Sequence, residues 1–438
     1  MAFSAPLLAN AFFVAAALSS TASAEDPARP GWTFVAGPGF GIEDGVRSTT
    51  GLGRMLFSYD DALAAQAWLD EGQPWGKAIG VVGRFTKLFF VDRPIVMLQG
   101  IVDHEVFGHG ARAREAGLEP SYQFHLVEPY SWFLSSHKGA GGYTHGARSG
   151  VLERDIGVTI GGVEAEWWGA WWLTRDAVEN GGWMSYHDML QYFGAKLSYS
   201  GRLRHVLSQP PTLPNVWGDP DQYLSELQLR FNRWRPSDRN AMAQRLRYAY
   251  FYNFADPTLW QSIYHLAVTY LWEGKRDAKL LTIPLWDEAT LYPTTRFNLS
   301  PFGAEHYLDL FFHHPAITVD AYARVGSSGL AAYHGGGAHL RGIRPGLGLT
   351  LGAEIDMWAQ PELLFEQRFV FDRPNAFGMS AGLHVDWHIY DRLAVTGKIA
   401  GKTRGYLMGQ PLEGGAYGYA GLTITPDAEG ALFNGAGR

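Results

Sequence analysis

In the later part of the chain the apolar residues fall at every second position, which restricts that part to extended, paired strands. Ile317, Val319, Ala321, Ala323 and Val325 alternate with Thr318, Asp320, Tyr322 and Arg324. Leu347, Leu349, Leu351, Ala353, Ile355 and Met357 alternate with Thr350, Glu354 and Asp356, and Met379 to Tyr390 repeats the pattern. Leu393 to Lys402 and Ala416 to Ile424 continue it. Successive side chains of a strand point to opposite faces, so each run has one apolar and one polar face. Such strands form an antiparallel sheet packed on a soluble core, or a small barrel with its apolar face toward lipid. About eight strands follow Thr294, the smallest number that closes a barrel around a filled interior. The Gly-rich end, Phe433 to Arg438, lacks the terminal aromatic of outer-membrane barrels and speaks for the soluble sheet. Trp32 to Ile42 also reads as a strand able to pair with this sheet. Charged residues make up 18% of the chain, aromatic residues 14%, and there are 53 glycines. That balance suits Gly-punctuated sheets and a surface that partly faces lipid.

Upstream, the spacing is helical. Ala78 to Phe90 is mostly apolar, and Asp92-Arg93-Pro94 reads as a fresh helix start, with Asp92 as N-cap and Pro94 in the first turn. Ile95, Leu98, Ile101 and Val102 supply an apolar face, and Gly117 a stop. Inside this helix lies His104-Glu105-Val106-Phe107-Gly108-His109. Two imidazoles can hold a divalent metal, and a glutamate beside the first can take a proton from water on that metal. In a regular helix, residues five apart point about 140° from each other, so the two rings converge only if the helix widens into a π-bulge. Gly108 is placed to permit it.

The hexapeptide resembles the active-site motif of the dipeptidyl peptidase III family of zinc peptidases. The resemblance implies that His104 and His109 bind Zn2+, that Glu105 is the general base, and that a glutamate on a later helix completes a gluzincin-like site. It covers this hexapeptide and that later helix only.

The predicted helix Gly150 to Asp176 offers the third ligand. Its segment Ile156 to Leu173 carries only Glu164 and Glu166 as charges, and a buried carboxylate is costly unless paired or bound to metal. Gly161 and Gly162 let this helix approach the motif closely. Glu164 is the first choice and Glu166 the second; one of them could instead steady a histidine from behind, or both could face solvent or pair with Arg154 or Arg175. Tyr143 and His145, on a glycine-rich loop with Gly139 to Gly142, are candidates to stabilise an oxyanion, with an ordinary surface loop as the alternative. Arg112 and Arg114 extend the motif helix toward substrate or solvent. His384, Asp386 and His388 share one face of a strand and either bind metal or line a polar face. Trp167, Trp168, Trp171 and Trp172 belong to a packed core or to a lipid interface. Further helices are predicted at Ser185 to Leu197, Pro220 to Trp234 and Asp238 to Trp272.

With 0 Cys, disulfides, thiolate ligands and a Cys nucleophile are excluded, which leaves His and carboxylate as metal ligands. The net charge of -7 without a basic block argues against nucleic acid as a partner. Residues 1–24 read as a secretory signal peptide, apolar from Pro6 to Leu18 and closing on Ala22-Ser23-Ala24, although no Lys or Arg precedes the apolar run. The expectation is therefore an exported α+β protein of the periplasm or outer membrane of a Gram-negative bacterium. A strand segment (25–50) leads into a helical, metallopeptidase-like region (51–293), then an antiparallel sheet or small barrel (294–426) and a tail (427–438). Its expected activity is zinc-dependent hydrolysis of a peptide or protein substrate, with membrane association. The alternatives are an outer-membrane barrel of structural or transport function with an incidental motif, and a zinc hydrolase acting on lipid or another envelope substrate.

Overall fold

A ten-stranded antiparallel sheet wraps one buried helix in the computed structural model of the chain, which describes residues 31–65, 75–134, 141–146, 148–203, 218–231, 235–328, 330, 332–365, 375–390 and 392–425. The predicted signal peptide and tail lie outside the described residues, as do residues 139 and 140 of the Gly139 to Gly142 loop. Strand β1 (Trp32–Ala36) precedes helix α1 (Ile42–Ala65). A long helical rod follows: α2 (Gly76–Lys87), a π-turn (Leu88–Asp92), α3 (Arg93–Val102), a π-helical segment (Asp103–His109) and α4 (Gly110–Glu115). Next come β2 (Ser121–Phe124), α5 (Tyr130–Leu134), β3 (Gly142–His145), α6 (Leu152–Glu179), β4 (Trp183–Ser185) and α7 (Tyr186–Leu203). Helices α8 (Asp219–Arg230), α9 (Pro236–Tyr252) and α10 (Pro257–Tyr264), a second π-helical stretch (His265–Trp272) and β5 (Asp277–Lys279) complete the helical half. The rest is β6 (Ile283–Pro284), β7 (Thr290–Ser300), β8 (Gly303–His314), β9 (Ile317–Ser327), β10 (Ala332–Gly346), β11 (Leu349–Pro361), β12 (Asn375–Tyr390), β13 (Leu393–Lys402) and β14 (Gly415–Ile424).

The large sheet runs β1-β14-β13-β12-β11-β10-β9-β8-β7-β6. The early strand does pair with the C-terminal sheet, Trp32 opposite Ile424, but it is confined to Trp32–Ala36, and a helix already begins at Ile42. The fold is α+β, and among the described residues the sheet does not close into a barrel. Helices cover its edge backbone instead. Ser48 of α1 accepts from Val35 N–H at 2.9 Å and donates to Val35 C=O at 2.7 Å, doing for the edge strand what a neighbouring strand would do. At the other end Lys196 of α7 donates to Thr295 C=O at 3.3 Å. Among the described residues no helix is long and apolar enough to cross a membrane.

The polar face of the sheet is the buried one. Asp309, Asp320, Arg324, Glu354, Asp356 and Lys398 all point inward. They form ion pairs such as Arg324–Glu305 at 3.1 Å and Lys398–Glu354 at 2.7 Å. Helix α6 fills the space they enclose. It is apolar nearly all round, the signature of a helix with no solvent face. Its four tryptophans are buried core residues rather than lipid-interface ones: Trp168 stacks on Trp172 at 5.8 Å, and Trp167 meets Phe297 edge-on at 5.2 Å. Of the His384-Asp386-His388 face only His384 reaches this interior, paired with Glu354 at 2.8 Å, while Asp386 is half-buried and His388 exposed.

The rod departs from expectation at Asp92. This residue is helical itself, makes no capping bond, and is fully buried beside Lys87 Nζ at 2.7 Å. The helix does not restart there because the π-turn at Leu88–Asp92 absorbs Pro94, whose ring and missing N–H would otherwise break the ladder.

Candidate metal centre

The motif sits in the π-helical segment Asp103–His109, so the extra residue is accommodated as the five-residue spacing demands. Gly108 has a different role from conformational release, since its φ is an ordinary one. A Cβ there would lie 2.5 Å from Gly161 O and from Gly162 Cα, and one on Gly162 would lie 2.4 Å from the His104 ring. Three glycines thus let the rod and α6 cross at backbone contact, which holds His104 against α6.

His109 Nδ1 lies 2.6 Å from Val158 C=O, and His104 Nδ1 lies 3.2 Å from Glu166 Oε1. A carbonyl and a carboxylate only accept, so both Nδ1 atoms carry a proton, and each ring in its neutral form offers an Nε2 lone pair. Those Nε2 atoms face each other at 3.1 Å, and Asp219 Oδ2 stands 3.2 Å from one and 3.5 Å from the other. Three acceptors pointed at one spot repel unless a proton on one Nε2 or a metal cation lies among them. A tetrahedral zinc with bonds of about 2.0–2.1 Å sets its ligand atoms about 3.3 Å apart, a value the three separations bracket.

The electrostatics agree. Burial pulls the His104 pKa down, but the Asp219 and Glu166 carboxylates reverse this and raise it to about 10. Burial likewise lowers His109, and the Asp219 charge carries it above the ordinary value. Burial raises Asp219, and the two imidazoles more than offset it, holding the carboxyl well below its usual range. The cluster is a trap for positive charge.

Of the four predicted ligands, His104 and His109 come together and the two glutamates do not join them. Glu164 is fully buried and turned to Arg112, which grips it through Nε at 3.0 Å and Nη2 at 2.5 Å, while Gly409 N–H donates at 2.7 Å. Neither Arg154 nor Arg175 is its partner; they hold Glu413 and Glu179. Arg112 is accordingly a buried structural residue and not a solvated helix end. Glu166 takes the position behind His104 and also accepts from Ser198 Oγ. Asp219, at the start of α8, supplies the carboxylate instead. Its side chain is 25% exposed, against 6% for His104, so Asp219 is the member of the cluster nearest solvent.

Glu105 is buried, and β3 packs directly on it. Thr144 Oγ1 donates to Glu105 Oε2 at 2.7 Å and also lies 2.9 Å from Glu105 C=O. A Cβ on Gly142 would come within 2.9 Å of Glu105 Cγ. Alternation along β3 puts Tyr143 and His145 on the face opposite Thr144, away from the glutamate. Tyr143 is half-exposed, with its ring near His125 and His145, and His145 reaches Gln123 at 3.5 Å. Tyr143 and His145 thus lie in a strand rather than on a loop, and the residue of that strand that touches Glu105 is Thr144.

Glu226, two turns along α8 from Asp219, is buried with Gln222 Nε2 at 3.0 Å and Arg148 at 3.3 Å. Burial raises its pKa from 4.5 to about 7. A raised carboxyl pKa means the unfolded chain gives up its proton first. Stability therefore falls as pH climbs from about 4.5 to about 7, by up to about 3 kcal/mol. Glu226→Gln is expected to remove this fall, so that denaturant titrations show the variant gaining on the wild type between pH 5 and pH 8.

No family model, curated protein or solved structure matches this chain.

Proposed function

We propose that the chain is a zinc-dependent metallohydrolase acting on peptides or proteins, exported to the bacterial envelope. The single observation that carries this reading is the triangle of His104 Nε2, His109 Nε2 and Asp219 Oδ2, with sides of 3.1, 3.2 and 3.5 Å. Three protein ligands with one side open is the pattern of a catalytic rather than a structural zinc site. Zinc held there supplies Lewis acidity toward a carbonyl and an acidified water. Glu105 follows His104 directly and accepts the proton of the attacking water, then returns it to the leaving amine. Thr144 orients that carboxylate by its bond to Oε2. Glu166 fixes the tautomer of His104 and strengthens it as a donor. Extended backbone of β3 beside Glu105 supports a peptide substrate, whose main chain is held by such strands.

Protein purified without chelator and supplied with zinc is expected to carry one zinc per chain, and His109→Ala and Asp219→Asn to lose it. Glu164→Gln is expected to retain it, because that carboxylate belongs to Arg112. A wild type that takes up no zinc under these conditions refutes the reading. Glu166→Gln is expected to bind zinc about 10–100-fold more weakly in a competitive chelator titration.

A further inference from the structure

The wrapped sheet has its polarity reversed relative to a soluble one. We infer that its outer face is lipid-facing, with the hydrocarbon of a bilayer as its occupant. This goes beyond the proposed hydrolysis and does not depend on the metal. Outward positions carry Val325, Ile355, Met357, Leu383, Ile399 and Leu422, all exposed, Leu383 at 58% and Ile399 at 68%. On β9, β11, β12, β13 and β14 no outward position is Asp, Glu, Lys or Arg, whereas the inward ones hold Asp320, Arg324, Glu354, Asp356, Lys398 and Lys402. A soluble antiparallel sheet does the opposite and buries its apolar face. Apolar outside and charged inside is the pattern of a membrane barrel wall.

Three features select lipid over a second protein surface. The first is curvature. One cavity beside α6 is lined together by Arg296 of β7, Tyr307 of β8, Tyr322 of β9, His339 of β10, Glu354 of β11 and Lys398 of β13, strands that would spread over about 28 Å in a flat sheet. The sheet is thus concave toward α6 and convex outside, and two convex rigid faces meet only along a line. The second is length. Strands β9, β11, β12 and β13 have 11, 13, 16 and 10 residues, at or above the 9–11 that cross a bilayer when tilted about 45°. The third is the placement of aromatics. On the outer face of β12, Phe377 and Trp387 stand at opposite ends. They are about 34 Å apart along the strand and about 24 Å apart across a tilted one, near the roughly 25 Å apolar band of outer-membrane proteins. Helices bond the edge backbone at Val35 and Thr295, which is the kind of cover that a strand edge needs in lipid.

The absence of cysteine makes a direct test clean. Leu383→Cys, Ile399→Cys and, as an exposed control between the second π-helical stretch and β5, Lys275→Cys are each labelled with an environment-sensitive dye. The full-length protein is reconstituted into phosphatidylethanolamine–phosphatidylglycerol vesicles with brominated acyl chains. The dye is expected to lose most of its emission at 383 and 399, to resist aqueous iodide there, and to behave oppositely at 275. Iodide quenching at 383 and 399 equal to that at 275 overturns the proposal. So does protection from iodide without quenching by bromolipid, which is the result for a face covered by a second copy. Flotation of unmodified protein with the same vesicles gives a readout that needs no variant, and wild type left at the bottom of the gradient also overturns it. Zinc content enters neither measurement, so failure here leaves the hydrolase reading standing.

Discussion

Glu105→Gln is expected to leave zinc bound and to lower hydrolysis of labelled casein or a peptide library by about 10²–10⁴-fold, the usual worth of a positioned general base. The substitution is close to isosteric. The amide oxygen of Gln still accepts from Thr144 Oγ1, so β3 keeps its packing on the motif and only the proton acceptor is removed. Metal content separates this loss from unfolding: elemental analysis should give the same zinc per chain in Glu105→Gln as in wild type, and none in His109→Ala. Full activity in Glu105→Gln, with zinc retained, would sink the mechanism while leaving the metal site intact.

Arg112→Leu is expected to destabilise the fold by about 3–5 kcal/mol in denaturant unfolding, the cost of breaking one side of a buried ion pair. Arg112 joins three parts of the molecule: Glu164 on α6, Glu115 at 2.8 Å on its own helix, and Gln410 C=O at 2.9 Å in the segment before β14. Without it the Glu164 carboxylate keeps only Gly409 N–H as a named donor. Replacing both members should recover much of the loss, because an apolar pair of similar volume carries no desolvation penalty. A double variant no more stable than Arg112→Leu would show that the arginine acts through Glu115 and Gln410 instead.

The histidine pair was legible in the sequence because helix geometry makes a five-residue spacing diagnostic: His104 and His109 can meet only across a π-bulge. Buried carboxylates on α6 were legible too, but the partner was not. Glu164 and Glu166 differ by two positions, so they leave the helix about 200° apart, and nothing local says which faces the rod and which the loop at Gly409. Asp219 carried no signal beyond an acid next to Pro220 at a helix start, and favourable interaction with the helix terminus already explains an acid there. Thr144 stood between Tyr143 and His145, two side chains with more evident chemistry. Strand alternation, once β3 was known to be a strand, would have set it apart from both. The sheet's alternation was plain in the sequence, but alternation alone does not say which face is inside. That depended on α6, an apolar helix that occupies the enclosed space and leaves the outer face uncovered.

His104 and Asp219 are 115 residues apart and belong to elements with separate paths through the fold. A cation held between them, as proposed, would be a long-range staple in a chain with 0 cysteines. It closes a loop as a disulfide would, but one opened by a chelator or by acid rather than by a reductant. Ligand binding of this kind adds stability as the logarithm of free metal over its dissociation constant, about 4.1 kcal/mol at a thousandfold excess. The metal level of the surrounding compartment would then set how long the folded chain persists as well as how fast it acts.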